Sequence, residues 1–278
     1  LNSHCATPRL FIDKRRYEIN VYFLSFRPEK LLMTIKHLCM APLGLCSLLS
    51  LRAQQSTTAF QLRHDSATVA HLQNGVKQRF RTDVAALSGT NKKEIEAVYQ
   101  KRLEAIEESF ANKEVLTDAR AQAYLNGLAA VIFKANPKLD TTGLRLLFSR
   151  SWVPNAASMG EGTIFFHIGL FTQLANESQV AFVLCHELAH YYLNHSGRKI
   201  DRYIQTVYGD AFQKDLRRLQ KTEYGRNAQL EKMVKNLQFS SGRHSREFET
   251  GADSMAVELM RATAFDTQEA LAALAVLD

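Results

Sequence analysis

Residues Val183 to Asn194 read Val-Leu-Cys-His-Glu-Leu-Ala-His-Tyr-Tyr-Leu-Asn, with His186-Glu187-Leu188-Ala189-His190 at their centre. From Gln179 to Leu193 the apolar residues run nearly all round a helix, which predicts a buried rod whose strongly polar interior positions are His186, Glu187 and His190. Residues four apart share a helical face, so the two imidazoles can aim ring nitrogens at one ion, roughly 2.0–2.1 Å away. Burying a carboxylate and two imidazoles without partners costs on the order of several kcal/mol, and a bound dication offsets that cost. Glu187 projects beside the pair, where a base able to take a proton from water is needed. The H-E-x-x-H spacing is that of zinc hydrolases, and it implies one zinc ion per chain.

A catalytic zinc takes three protein ligands and leaves the fourth position to water. The metzincin arrangement needs glycine at 193 and histidine at 196; Leu193 and Ser196 exclude it. His195, five residues beyond His190, is expected to have turned away from the metal face and to be a surface histidine near the helix end. A later segment, Ser245-Arg246-Glu247-Phe248-Glu249-Thr250-Gly251-Ala252-Asp253, supplies carboxylates. There Phe248, Ala252, Met255, Ala256 and Leu259 make an apolar stripe at helical spacing, with Glu249 and Asp253 one turn apart on its border. Glu249 is the expected third ligand, and Asp253 the acceptor that fixes the tautomer and tilt of a ligating histidine. Taken alone, the same segment would also suit a solvated acidic edge. His244 and Arg246 could steady an oxyanion, but a loop histidine and a structural ion-pair partner are the favoured readings.

These residues resemble the zinc metallopeptidases that include HtpX, the CAAX prenyl proteases and the periplasmic BepA-type proteases, all gluzincins. The resemblance spans roughly 155–278 and has three parts in order. The first is Asn155-Ala156 with Gly162-Thr163-Ile164 and Gly169-Leu170. The second is His186-Glu187-Leu188-Ala189-His190, and the third is Ser245-Arg246, Glu249 and Ala252-Asp253. It implies His186, His190 and Glu249 as metal ligands, Glu187 as the catalytic base and Asp253 as its helper. It also implies an α+β, mainly α, zincin-like domain with a small sheet edging the active-site cleft. In that family the strand after Asn155-Ala156 borders the cleft, and an edge strand can take up an extended peptide as its neighbour. The chain departs from many relatives at Thr250-Gly251, and a glycine inside a helix costs about 1 kcal/mol relative to alanine.

Composition bounds the rest. With 278 residues, 46% hydrophobic and 23% charged, the chain is globular and long enough for one well-cored domain. Of the net charge of +7, residues 1–53 carry +5, from eight Lys/Arg against three Asp/Glu. The remainder is nearly balanced, which argues against a nucleic-acid partner, as do the acidic residues interspersed through 198–237. Met33 to Lys36, the apolar stretch to Leu51 and Arg52-Ala53 have the layout of a signal peptide over 33–53, so export and cleavage after Ala53 are expected. The 15 residues between Lys36 and Arg52 include Pro42 and Gly44 and are short for a membrane span. Residues 1–32 fit poorly ahead of such a signal, and translation is expected to start at Met33. The mature domain is then 54–278, with no integral span, and peripheral association with the envelope remains open to it. Three of the four cysteines lie in the N-terminal segment; Cys185 is expected to be a small core residue.

Elsewhere, 59–80 is weakly helical, and Asn91-Lys92-Lys93-Glu94 resembles a capping box opening a helix to about Phe110. A further helix covers about Thr117 to Ala135, and both are expected to pack over the catalytic core. Leu144–Phe148 and Thr163–Ile168 read as strands, Gly169–Leu174 as a short helix, and Asn176 as the cap of the metal helix. One or two surface helices are expected over 198–237, a Ser/Gly-rich loop over Phe239–Arg243, and a last helix near Thr267 to Leu277. The reading that emerges is an exported zinc endopeptidase, periplasmic or secreted, acting on misfolded or envelope polypeptides. A chaperone-like module that binds such chains with little turnover is the alternative.

Overall fold

The computed structural model of the chain describes residues 65–222 and 224–277. The expected signal peptide at 33–53, its cleavage after Ala53 and the upstream stretch 1–32 lie outside the described residues. Within them the elements in order are helices α1 (Ser66–Ala85) and α2 (Lys92–Ala111), strand β1 (Val115–Leu116), helix α3 (Ala119–Ala135) and strands β2 (Arg145–Ser149), β3 (Ala156–Ser158) and β4 (Thr163–His167). A 3₁₀ turn at Ile168–Thr172 leads to helices α4 (Glu177–Tyr192), α5 (His195–Val207), α6 (Asp210–Lys221) and α7 (Arg226–Arg261), and a second 3₁₀ turn at Thr267–Glu269 to α8 (Ala270–Leu277).

The sheet has the order β1-β2-β4-β3. β2 and β4 run parallel, with Leu146 opposite Ile164, Leu147 opposite Phe165 and Phe148 opposite Phe166. Alternation along each strand sorts these side chains to two faces. Leu146, Phe148, Ile164 and Phe166 join the main core with α3, α4, α7 and α8. Leu147 and Phe165 turn the other way and pack with Val69, Val76, Leu103, Ile106 and Phe110 of α1 and α2. A sheet covered on both sides explains why β4, Thr-Ile-Phe-Phe-His, is buried at all five positions. It also corrects one expectation: α3 packs on the core that carries the metal helix, whereas α2 covers the far face of the sheet.

The expected capping box at Asn91 does not form. Asn91 begins α2 through its carbonyl, which accepts from Ile95, but its side chain makes no cap bond. Its ψ of 26° is far from the extended conformation that would bring the side chain back over the first turn. Asn176 does cap α4, its side-chain oxygen accepting from the Gln179 N–H at 3.0 Å. The Ser/Gly-rich stretch is not a loop, because α7 runs unbroken through it for 36 residues. Serine and glycine weaken a helix by roughly 0.5–1 kcal/mol each but, unlike proline, leave its hydrogen bonds intact. Further along, Phe248, Ala252, Ala256, Leu259 and Met260 anchor the helix in buried positions. Extending an anchored helix avoids the cost of nucleating a second one. No helix among the described residues is long and apolar enough to cross a membrane.

Candidate metal centre

Helix α4 is buried at every position from Gln179 to Ala189, so the packing that holds it leaves its polar side chains little freedom. His186 and His190 lie one turn apart on it, and Glu249 comes from α7, which packs along its length. The Nε2 atoms of the two histidines are 2.9 Å apart. Glu249 Oε2 is 3.1 Å from His190 Nε2 and 3.4 Å from His186 Nε2. Ligand atoms at zinc distances and tetrahedral angles stand about 3.3 Å from one another. The triangle therefore has the size that a tetrahedral ion needs, and its donors, two imidazole nitrogens and a carboxylate oxygen, suit zinc. Among the described residues these three form the one group of His, Cys, Asp and Glu compact enough to hold a metal.

The surroundings sharpen the charges. Burial works against a positive His186, but the carboxylates of Glu249, Glu187 and Asp253 outweigh it and raise its pKa above the usual value. For Glu249 burial acts in the opposite direction to its neighbours. Hydrogen bonds from His186 and His190, with the charges of His190 and Lys199, hold it well below the ordinary carboxylate range. Glu187, next to His186, is only 6% exposed. Asp253 accepts from His186 Nδ1–H at 2.9 Å, on the side of the ring away from the triangle. Beside it, a groove of about 470 Å³ opens between α4, α7 and α8, walled by Asp253, Phe182, Val257 and Leu274.

A sequence model described as peptidase family M48 matches residues 116–275. The chain belongs to peptidase family M48. It is therefore a metallopeptidase, a hydrolase of peptide bonds, and the match runs from the last residue of β1 into α8. Comparison with curated proteins finds no match. The M48 assignment agrees with the fold, a largely helical domain around a small mixed sheet. The edge strand β3 of this M48 domain packs against α4, so the sheet ends beside the metal helix.

The structure brings together His186, His190, Glu249 and Asp253, with Glu187 buried next to the first of them. His244 lies apart in an exposed pair with Glu247 at 3.1 Å, and Arg246 is exposed. Cys185 is fully buried and its thiol is pushed up to about 12 by burial, so it is core and not a nucleophile.

His195 overturns its expectation. It is 2% exposed, and its Nδ1 lies 3.0 Å from His190 Nδ1. Continued α-helix would have carried it about 140° round from His190, but α4 stops at Tyr192. Asn194 is left-handed (φ 49°, ψ 43°), and α5 starts afresh at His195. The joint is held by Asn194 Oδ1, which accepts from the Gly197 N–H. A Cβ on Gly197 would come within 2.4 Å of that oxygen, so glycine is needed there. Burial, the His190 charge and the cations Lys199 and Arg198 lower the His195 pKa to about 4. The available signal was Asn194, a residue type that tolerates left-handed backbone and often ends helices.

Proposed function

We propose that this M48 peptidase is a zinc-dependent endopeptidase in which His186, His190 and Glu249 hold the ion and Glu187 is the catalytic base. The observation that carries the proposal is the triangle of Nε2, Nε2 and Oε2 atoms at 2.9, 3.1 and 3.4 Å, contributed by two packed helices. Zinc bound there would acidify a water and polarise the peptide carbonyl. Glu187 accepts the proton of the attacking water and returns it to the leaving nitrogen. Asp253, through its bond to His186 Nδ1, keeps that ring's Nε2 lone pair turned into the site.

Substrate recognition follows from the sheet edge. Among the described residues β3 pairs with β4 on one side only, and its other side can take an extended peptide as an added strand. Backbone pairing of that kind reads side chains loosely, which suits unfolded or misfolded polypeptides. The basic-apolar-small layout of 33–53 supports export, to a periplasm or beyond, and envelope proteins as the substrates. The test is digestion of casein by the purified protein with and without a chelator, alongside zinc analysis. Turnover that chelation stops and zinc restores is expected. Binding of casein without cleavage in the zinc-loaded protein would favour a chaperone-like module instead.

A further inference from the structure

Each histidine of the triangle has a second ring nitrogen, and something must settle where its proton sits. For His186 the carboxylate of Asp253 does so. For His190 the partner is another imidazole, His195, Nδ1 to Nδ1 at 3.0 Å. Two ring nitrogens at that distance share a single proton, so one ring donates and the other accepts. His190 Nε2 faces His186 Nε2 and Glu249 Oε2, and a nitrogen that is to bind a metal must offer its lone pair. The proton of His190 then belongs on Nδ1, and His195 Nδ1 must be the acceptor.

We propose that His195 is a positioning residue for metal binding: it accepts the Nδ1–H of His190 and so fixes the tautomer and tilt that leave His190 Nε2 free for a divalent cation. The inference rests on the reading of His186, His190 and Glu249 as ligands. Its support is the way His195 itself is held. The ring is buried against Phe248, with centroids 4.7 Å apart, and the Asn194–Gly197 joint sets where it begins. Arg198, Lys199 and Arg202 stand three, four and seven positions along the same helix, on the same side as His195. All three gather over Phe248 at 4.9, 5.7 and 4.7 Å from its centroid. Stacked there, they hold in place the phenyl group against which the His195 ring packs. Gly251 keeps the other side of the ring clear: a Cβ there would already lie 3.6 Å from His195 Nε2, so a longer side chain would press on the ring.

The test compares His195→Asn with His195→Leu. The two replacements have nearly the same shape, but only asparagine can present a hydrogen-bond acceptor where the imidazole Nδ1 stood. Zinc affinity of the full chain, measured by competition with a chromophoric chelator, is expected to fall 10–100-fold in H195L and to stay within about threefold of wild type in H195N. The visible spectrum of the cobalt(II)-substituted protein should shift in H195L and match wild type in H195N. Melting of the metal-free variants should be alike, since packing changes equally in both. H195L that binds zinc as tightly as wild type overturns the proposal, and so does H195N as weak as H195L. Should that pair fail to fold, His195→Asp and His195→Val repeat the comparison, again with and without an acceptor at the Nδ1 position. Wild-type protein that binds no zinc overturns the ligand assignment beneath it, before any variant is made.

Discussion

The two histidines of α4 differ in what stands behind them. His186 is backed by a carboxylate from α7, Asp253, half-exposed and 67 residues away. His190 is backed by a neutral, buried imidazole only five residues on, brought round by a broken helix. A charged acceptor makes the stronger hydrogen bond, roughly twice that of a neutral one, so the two rings need not be held equally. One side of the site is oriented by long-range packing of two helices, the other by a local turn.

The largest effect expected lies outside that contrast and calibrates it. Glu187→Gln should lower casein hydrolysis by roughly 10²–10⁴-fold while zinc content stays at one per chain. A variant that still digests casein at the wild-type rate would remove Glu187 from the mechanism. Next, Glu249→Ala should cut zinc stoichiometry well below one after dialysis, because two imidazoles alone make an incomplete site. Unchanged stoichiometry would break the triangle itself.

Asp253→Asn then sets the two supports against each other. It should weaken zinc binding within the 10–100-fold range, and by more than H195L if the charge on the acceptor matters. A loss in chelator competition as small as that of H195N would show that orientation, not charge, is what the second partner supplies.

Acid should act on the His195 side of the metal-free protein. The folded His195 pKa of about 4 lies below its ordinary value of 6.5. Below 6.5 the unfolded chain therefore binds a proton that the folded one does not, and stability falls as pH drops towards 4. H195N removes that group, so its midpoint in urea should decline less between pH 6.5 and 4 than that of wild type. The smallest change is Gly251→Ala. Its Cβ would meet His195 at an ordinary 3.6 Å, and alanine should add about 0.5–1 kcal/mol of helix stability, read as a higher melting temperature.

Much of this was legible in the chain. The all-round apolar run through α4 marked it as buried, and it is buried from Gln179 to Ala189. The stripe Phe248, Ala252, Met255, Ala256 and Leu259 marked the inward face of α7; Met255 is partly buried and the other four are buried. Asn176 marked the start of α4, and it caps it. Where the reading failed, local preference met a tertiary constraint. Ser240-Ser241-Gly242 looked like a loop, yet it continues a helix already anchored in the core. Asn91 had the right residue type for a cap but not the backbone conformation to use it.

Sequence alone determined which residue types could hold a metal, at what helical spacing, and that the segment bearing them would be buried, because periodicity and hydrophobicity are properties of the chain. Tertiary structure decided that Glu249 arrives within 3.4 Å of two histidines some sixty residues earlier, and that α1 and α2 cover the far face of the sheet. It also decided that His195 faces inward. Helical geometry predicts direction only while the helix lasts, and a single left-handed residue at Asn194 was enough to turn a side chain expected at the surface back onto the site.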